Sequence, residues 1–323
     1  MIAVVTDSEK IMQLEAIEHL VNPAAQWPLR SFVSIGEVSL ALSGTVCEDI
    51  DLGRQLEAFQ SEVSDPDIDV NVEWADGLRL CQGNAVFDSG SVWTLFRDCA
   101  DFIFDFVSPA LSAHPYKRMR VSSDFRVATI TLNREVLRDH QPVFALEYPA
   151  DELLVTNYLA NGLGVEVHGC GLVDFETGGH LFLGHSGAGK STTAKLWQSL
   201  RDPEILSDDR IILRLQDDGL WMHGTPWHGE AAFAAPAKAR INRIFIIEHA
   251  AEHGHGGENK ITPLTRSCAV GELFARSFPP FHSAAGLERT VGFLEQILNR
   301  VPCYQFQFIP DASAVEKVIG FHD

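Results

Sequence analysis

The stretch "LFLGHSGAGKSTTAKLW", residues 181–197, leaves the backbone few choices. An apolar run ends at Leu183, three glycines fall within the next six residues, and helix-forming residues begin at Lys190. Glycine enters backbone conformations that other residues avoid, so a strand, a tight turn and a helix start are expected in that order. The segment Gly184-His185-Ser186-Gly187-Ala188-Gly189-Lys190-Ser191 fits the pattern GxxxxGK[ST] in full. In such a turn successive N–H groups point inward and form a nest for anions, and the helix N-terminus adds its partial positive charge. The expected phosphate-binding residues are therefore Gly184, Ser186, Gly187, Ala188, Gly189, Lys190, Ser191 and Thr192. Lys190 is expected to reach the β- and γ-phosphates of a nucleoside triphosphate such as ATP, and the Ser191 hydroxyl to ligate Mg²⁺.

A phosphate loop needs a metal-binding acid on a nearby strand. "EILSDDRIIL" supplies two, Asp208 and Asp209, at the end of an apolar run eighteen and nineteen residues beyond Lys190. Adjacent carboxylates can divide labour, one holding Mg²⁺ directly or through water, the other accepting a proton from an attacking hydroxyl. Asp208 is assigned to the metal with Ser191, and Asp209 to the proton.

The formal net charge of −19 excludes several partners. A surface this acidic repels polyanions, so neither nucleic acid nor an anionic membrane is expected to bind. Backbone amides, one lysine and a metal must then hold any phosphate ligand against the global field. No window of 18 or more uninterrupted apolar residues occurs, and "MIAVVTDSEKIM" has no basic segment or apolar core of a signal peptide. The six cysteines, Cys47, Cys81, Cys99, Cys170, Cys268 and Cys303, form no CxxC pair, which points to reduced thiols and a cytoplasmic protein. Cys170, beside the loop strand, reads as a small core residue.

The chain divides by pattern. "EKIMQLEAIEHLV" has helical spacing, "RSFVSIGEVSLAL" reads as strand, and the acidic "DPDIDVNVEWAD", residues 65–76, reads as an exposed edge strand. With "SVWTLFR", "DFIFDFVSP", "KRMRVSS" and "FRVATITLN", roughly residues 30–135 are rich in β-structure. A helix is expected at "DELLVTNYLANGLG", after which "VEVHGCGLVDF", "GGHLFLG", "EILSDDRIILRLQ", "LWMHGT" and "RINRIFIIEH" read as strands. The tail carries two helices, a strand "CYQFQFI" and a closing helix "DASAVEKVIGF". The expected division is 1–145, β-rich and of unassigned role, and 146–323, a nucleotide-binding domain.

"GHSGAGKST", then "SDDR" about twenty residues on, with "VHG" at 167–169, resembles the C-terminal domain of the HPr kinase/phosphorylase family and its relatives. The resemblance covers roughly residues 145–320. It implies an α/β (α+β) fold of the phosphoenolpyruvate carboxykinase-like P-loop type, distinct from the common parallel-sheet P-loop NTPases. It also implies phosphorylation of a serine hydroxyl on a protein or peptide with ATP and Mg²⁺, and it leaves room for a homo-oligomer. His168, Lys190, Ser191, Asp208 and Asp209 match the family's functional positions, with His168 orienting an acid or phosphate. A second signature of the family, a Glu-Ile-Arg-Gly type segment, is absent, and "HGTPWHGE" at 223–230 stands in its place. The resemblance is thus to the kinase domain, not to HPr kinase itself.

Other groups are candidates for the same site. Glu230 is a candidate metal or water ligand and Trp227 a candidate wall for base or substrate, the alternative being a structural turn. Arg240, Arg243, Arg266 and Arg276 compete to supply a cation for developing charge, with Arg266 favoured because its loop carries few other charges. His249, His253 and His255 have spacing that suits a metal, but their glycine-rich surroundings read as a loop. Two other functions remain open: a nucleotide-dependent switch with little transferase activity, and a small-molecule kinase. All three need the loop, so Lys190→Ala should weaken ATP binding at least about tenfold by equilibrium titration; unchanged affinity would remove the phosphate-loop reading.

Overall fold

A computed structural model describes residues 29–44, 51–63, 65–139, 142–249 and 258–322. The expected helix at "EKIMQLEAIEHLV", Cys47, His253 and His255 lie outside the described residues. The class is α+β, with two mixed sheets.

The first sheet runs β1-β2-β3-β8-β7-β6-β5-β4. Its strands are β1 (Leu29–Ile35), β2 (Val38–Gly44), β3 (Ile68–Ala75), β4 (Phe87–Asp88), β5 (Trp93–Asp98), β6 (Asp101–Phe106), β7 (Lys117–Val121) and β8 (Val127–Asn133). The N-terminal part of the described chain is therefore β-rich, and two details differ from expectation. "RSFVSIGEVSLAL" is not one strand but the hairpin β1–β2, because Gly36 takes φ +60° and reverses the chain. β3 is not an edge strand; it pairs in parallel with both β2 and β8. Its acidic residues misled because only side chains alternate in exposure: Ile68, Val70 and Val72 are buried while Asp69, Asn71 and Glu73 face water. Both backbone edges are paired all the same.

The second sheet runs β14-β13-β12-β9-β10-β15-β17-β16, with β11 pairing to β9. Its members are β9 (Val165–Asp174), β10 (Gly178–Leu183), β11 (Glu204–Ser207), β12 (Arg210–Gln216), β13 (Gly219–His223), β14 (Lys238–Ile241), β15 (Ile244–His249), β16 (Lys260–Pro263) and β17 (Cys303–Phe308). Period-two alternation sorts its apolar residues to two faces. Leu181, Leu183, Ile244 and Ile246 pack with Leu273 of helix Arg266–Ala275 and Phe293, Leu294 and Ile297 of helix Ala284–Leu298. Phe182, Phe245 and Ile247 face the other way, onto Trp197 of helix Lys190–Arg201 and Val315 and Val318 of helix Ala312–Ile319. Trp197 is 1% exposed, and its packing on Phe182 anchors the helix that begins at the glycine-rich turn.

The two sheets are joined by a shared apolar core and by polar contacts, one of them fully buried. The expected boundary at residue 145 falls between them, yet helix Ala150–Leu159 buries Leu154, Val155, Tyr158 and Leu159 in the core of the first sheet, where Ile212 and Trp227 of the second also pack. The hairpin tip at Gly36 sits on Ile212 so closely that a Cβ there would meet its Cδ1 at 2.7 Å. Arg214 donates to the Gly36 and Glu37 carbonyls at 3.1 and 3.0 Å. Trp227 donates its indole N–H to Asp151 Oδ2 at 2.8 Å, a bond buried from both sides.

Asp151 is 2% exposed, and burial pushes its pKa from 3.8 up to about 7, with the Trp227 bond opposing the shift. A carboxyl that keeps its proton longer when folded favours folding fully below its unfolded pKa, and that advantage is lost as pH rises to about 7. Asp151→Asn keeps the shape and removes the penalty. Its stability gain over wild type, from urea midpoints, should be larger at pH 8 than at pH 5 by about 2–3 kcal/mol. An equal gain at both pH values would contradict the buried-acid account.

Candidate functional site

The site is built around β9, which lies between β12 and β10. Register places His168 opposite Arg210 and Gly169 opposite Leu183, so one strand touches both the acidic turn and the loop strand. The expected single strand "EILSDDRIILRLQ" is broken in two between β11 and β12. The Ser207 hydroxyl accepts from the N–H groups of both Asp209 and Arg210 at 3.2 Å, turning the chain at the acidic pair. Extended neighbours face opposite ways, and at this break Asp208 and Asp209 acquire different partners.

Asp208 is 1% exposed. Its Oδ1 accepts from Gly229 N at 3.0 Å, and its Oδ2 accepts from Ala231 N and from Ser191 Oγ, both at 3.1 Å. The serine of the loop motif and the first aspartate of the acidic pair are therefore in direct contact. Asp209 is half-buried and faces His168, whose Nε2 lies 2.8 Å from Oδ1, and Arg210, whose Nη1 pairs with Oδ2. Burial alone would raise the Asp209 pKa, but the His168 bond and the charges of Arg210, His168 and Lys190 outweigh it and hold the carboxyl below its ordinary value.

The loop has the expected form. Gly187 and Gly189 take φ +81° and +100°, and helix Lys190–Arg201 starts directly after. Gly189 is fixed twice over, since a Cβ there would meet Phe308 Cζ at 2.5 Å. The N–H groups of Ser186, Gly187, Gly189, Lys190 and Ser191 find no acceptor among the described residues. Lys190 is buried and folds back, donating to the Gly184 and His185 carbonyls at 3.0 Å each. Burial lowers its pKa, with the Asp209 charge opposing. Gly184 and Ala188 shape the turn, the Ala188 N–H donating to His185 O at 3.0 Å. Thr192 is exposed on the first turn, whereas Thr193 turns inward and bonds the Gly189 carbonyl at 2.9 Å.

Several expected participants stand elsewhere. Glu230 is exposed; its segment contributes the backbone N–H groups of Gly229 and Ala231 instead of a carboxylate. Trp227 is 3% exposed and committed to Asp151 in the core, so it lines no ligand surface. Arg266 is exposed and bonds the Glu295 carbonyl, and Arg243 bonds that of Phe321. Arg240 is exposed on β14. Arg276 is the one of the four beside the loop: its charge is the leading cause that lowers the His185 pKa, and its carbonyl accepts from His168 N at 2.7 Å. It is 4% exposed, paired with Glu272, and its Nε makes no hydrogen bond among the described residues. His249 stacks on Phe308 with centroids 5.1 Å apart. Cys170 is fully buried, which pushes its thiol pKa up and leaves it inert.

Arg210 adjoins the acidic pair but carries no role in the sequence reading. Its Nε lies 3.1 Å from Glu152 and 3.2 Å from Glu166, and its guanidinium sits 4.1 Å over the Phe278 ring. The motif "DDR" contained that signal; the long-range partners Glu152 and Glu166 did not announce themselves.

The donor set fits Mg²⁺. This hard cation takes oxygen ligands, commonly one or two carboxylates with phosphates and waters completing the shell. Ser191 Oγ and Asp208 Oδ2 supply that beginning. No group of three His, Cys, Asp or Glu residues suited to a metal occurs among the described residues. No family model matches the chain, and no curated protein matches it either. Among the described residues no helix is long and apolar enough to cross a membrane.

Removing the His168 bond should free Asp209 from its largest stabilising partner. In His168→Ala the Asp209 pKa, followed by carboxyl NMR, should rise relative to wild type; no change would mean that Arg210 and Lys190 set it without the histidine.

Proposed function

We propose that the chain is a kinase that uses ATP and Mg²⁺ to transfer the γ-phosphoryl group to a hydroxyl, most naturally a serine of a protein or peptide. One observation carries the reading: Ser191 Oγ stands 3.1 Å from Asp208 Oδ2, joining the phosphate loop to the acidic strand end. The unpaired loop N–H groups and Lys190 would hold the triphosphate, the lysine exchanging the Gly184 and His185 carbonyls for phosphate oxygens. Mg²⁺, held by Ser191 and Asp208, would neutralise charge on the phosphates.

Asp209 is the acceptor of the hydroxyl proton. As the acceptor oxygen bonds to the γ-phosphorus, the bond to the bridging oxygen breaks, ADP leaves and the proton passes to the Asp209 carboxylate. The low pKa of Asp209 keeps it ionised at neutral pH. A weak base suffices because phosphoryl transfer has a loose transition state in which the hydroxyl loses its proton late. His168 and Arg210 are positioning residues for Asp209, and Arg276 is the one of the four candidate arginines whose charge acts on the loop, at His185.

The sheet also supports the resemblance to the phosphoenolpyruvate carboxykinase-like P-loop fold. β10, which carries the loop, pairs antiparallel with β9 and parallel with β15, unlike the all-parallel sheet of the common P-loop NTPases. The described cysteines, all free, suit a reducing compartment, and we place the protein in the cytoplasm.

The base assignment separates binding from transfer. Asp209→Asn should retain ATP binding and lower transfer from γ-labelled ATP about 100-fold or more. Normal transfer by this variant would move the base elsewhere. Bound ATP with no acceptor labelled by wild-type protein would favour the switch reading.

A further inference from the structure

Between the two sheets lies a cavity of about 160 Å³. Phe87, Trp93, Phe278 and Phe281 give it aromatic walls, with Phe87 and Trp93 stacked at 5.4 Å and Phe281 exposed at its rim. Drug-sized ligands fill roughly 300–1,000 Å³, so this space suits one side chain or a small organic group, not a nucleotide.

Its polar lining is rich in acceptors, with the half-buried imidazole of His282 also on the wall. Glu166 is fully buried, and its Oε1 makes no hydrogen bond: Arg210 Nε lies 3.2 Å away but donates to Glu152. Thr156 satisfies the other oxygen of Glu166. Asn157, 8% exposed, uses its amide N–H on the Leu153 carbonyl at 2.8 Å, and its Oδ1 has no partner. Two buried acceptors without donors are costly, and both line the cavity. Charge points the same way. Three carboxylates, Glu152, Glu166 and Asp209, lean on the single Arg210 guanidinium. Burial first, and then the charge of Glu152, raise the Glu166 pKa well above its ordinary value, so with no cation in the cavity this carboxyl keeps a proton and shares it with Glu152.

The cavity also abuts the proposed base. Its wall Phe278 carries the Arg210 guanidinium on its face and lies 6.2 Å from the His168 ring, and those two residues hold Asp209.

We infer that this cavity is the acceptor pocket, and that it takes a protonated primary amine on a short apolar stem. As the cation enters, Glu166 would release its proton to solvent, the carboxylate and amide oxygens would receive the ammonium protons, and the aromatic walls would face both cation and stem. The acceptor role rests on the kinase reading; ammonium recognition does not. The same chemistry can come from a lysine side chain near the target serine or from a free amino alcohol.

The test uses the full chain in calorimetric titrations with n-butylammonium, n-butanol and butyrate, followed by transfer assays. Butylammonium should bind about tenfold more tightly than n-butanol, and butyrate should not bind. Glu166→Gln should erase that preference; Trp93→Leu should weaken butylammonium and leave ATP binding intact. Equal binding of the three probes by wild type would overturn the inference without recourse to any variant. In transfer assays, serine peptides with a lysine within two residues are compared with norleucine counterparts and with 3-aminopropanol. Label on the lysine peptide alone identifies a peptide source, and label on the amino alcohol alone a small molecule. Label on lysine and norleucine peptides alike overturns the pocket's acceptor role and leaves the kinase reading standing. Ammonium binding with no labelled acceptor of any kind sinks the acceptor role together with the kinase reading, and leaves only the ammonium site.

Discussion

Consecutive residues of an extended chain face opposite sides, and the break between β11 and β12 turns that constraint into a division of labour. Asp208 is drawn toward the loop helix, where Ser191 and the amides of Gly229 and Ala231 receive it. Asp209 is drawn across β9 to His168 and Arg210. Ser207 anchors the turn that separates them, its one hydroxyl accepting from the N–H groups of Asp209 and Arg210.

Burying this much charge is costly unless each group is paired. Most are. Asp208 has three donors, Asp209 has His168 and Arg210, and Lys190 has two carbonyls. Among the described residues seven buried side-chain atoms lack hydrogen bonds; those of Ser61, His114, His180 and His223 lie elsewhere, and three bear on the site: Glu166 Oε1, Asn157 Oδ1 and Arg276 Nε. The first two share one cavity, and the third lies beside the loop. Two unsatisfied acceptors on one cavity wall are better understood as poised for a ligand than as packing faults.

What the sequence revealed was local chemistry. The loop, the helix after it and most strands follow from patterns within about ten residues: glycines with a lysine, alternation, helical spacing. The resemblance implies only that His168 orients an acid or phosphate; that its partner is Asp209 is not legible in sequence, because the two are far apart along the chain and meet through the register of β9 and β12. Misreadings share a cause. β3 looked like an edge because exposure of side chains says nothing about whether backbone groups are paired. Trp227 and Glu230 lay in a suggestive loop, but which of its residues turn inward is decided by Asp151 and Asp208 from elsewhere in the chain. Arg266 was favoured over Arg276 for its sparse surroundings, a criterion blind to the backbone bond that holds Arg276 next to β9.

The central claim is that the Ser191–Asp208 contact is the metal end of a nucleotide site. The most direct measurement is ATP affinity with Mg²⁺ and with EDTA, in wild type and in Asp208→Ala. The account predicts that Mg²⁺ tightens ATP binding in wild type by about tenfold or more and that Asp208→Ala removes most of this gain. A variant that keeps the full Mg²⁺ dependence would contradict the account, since the metal would then be held elsewhere.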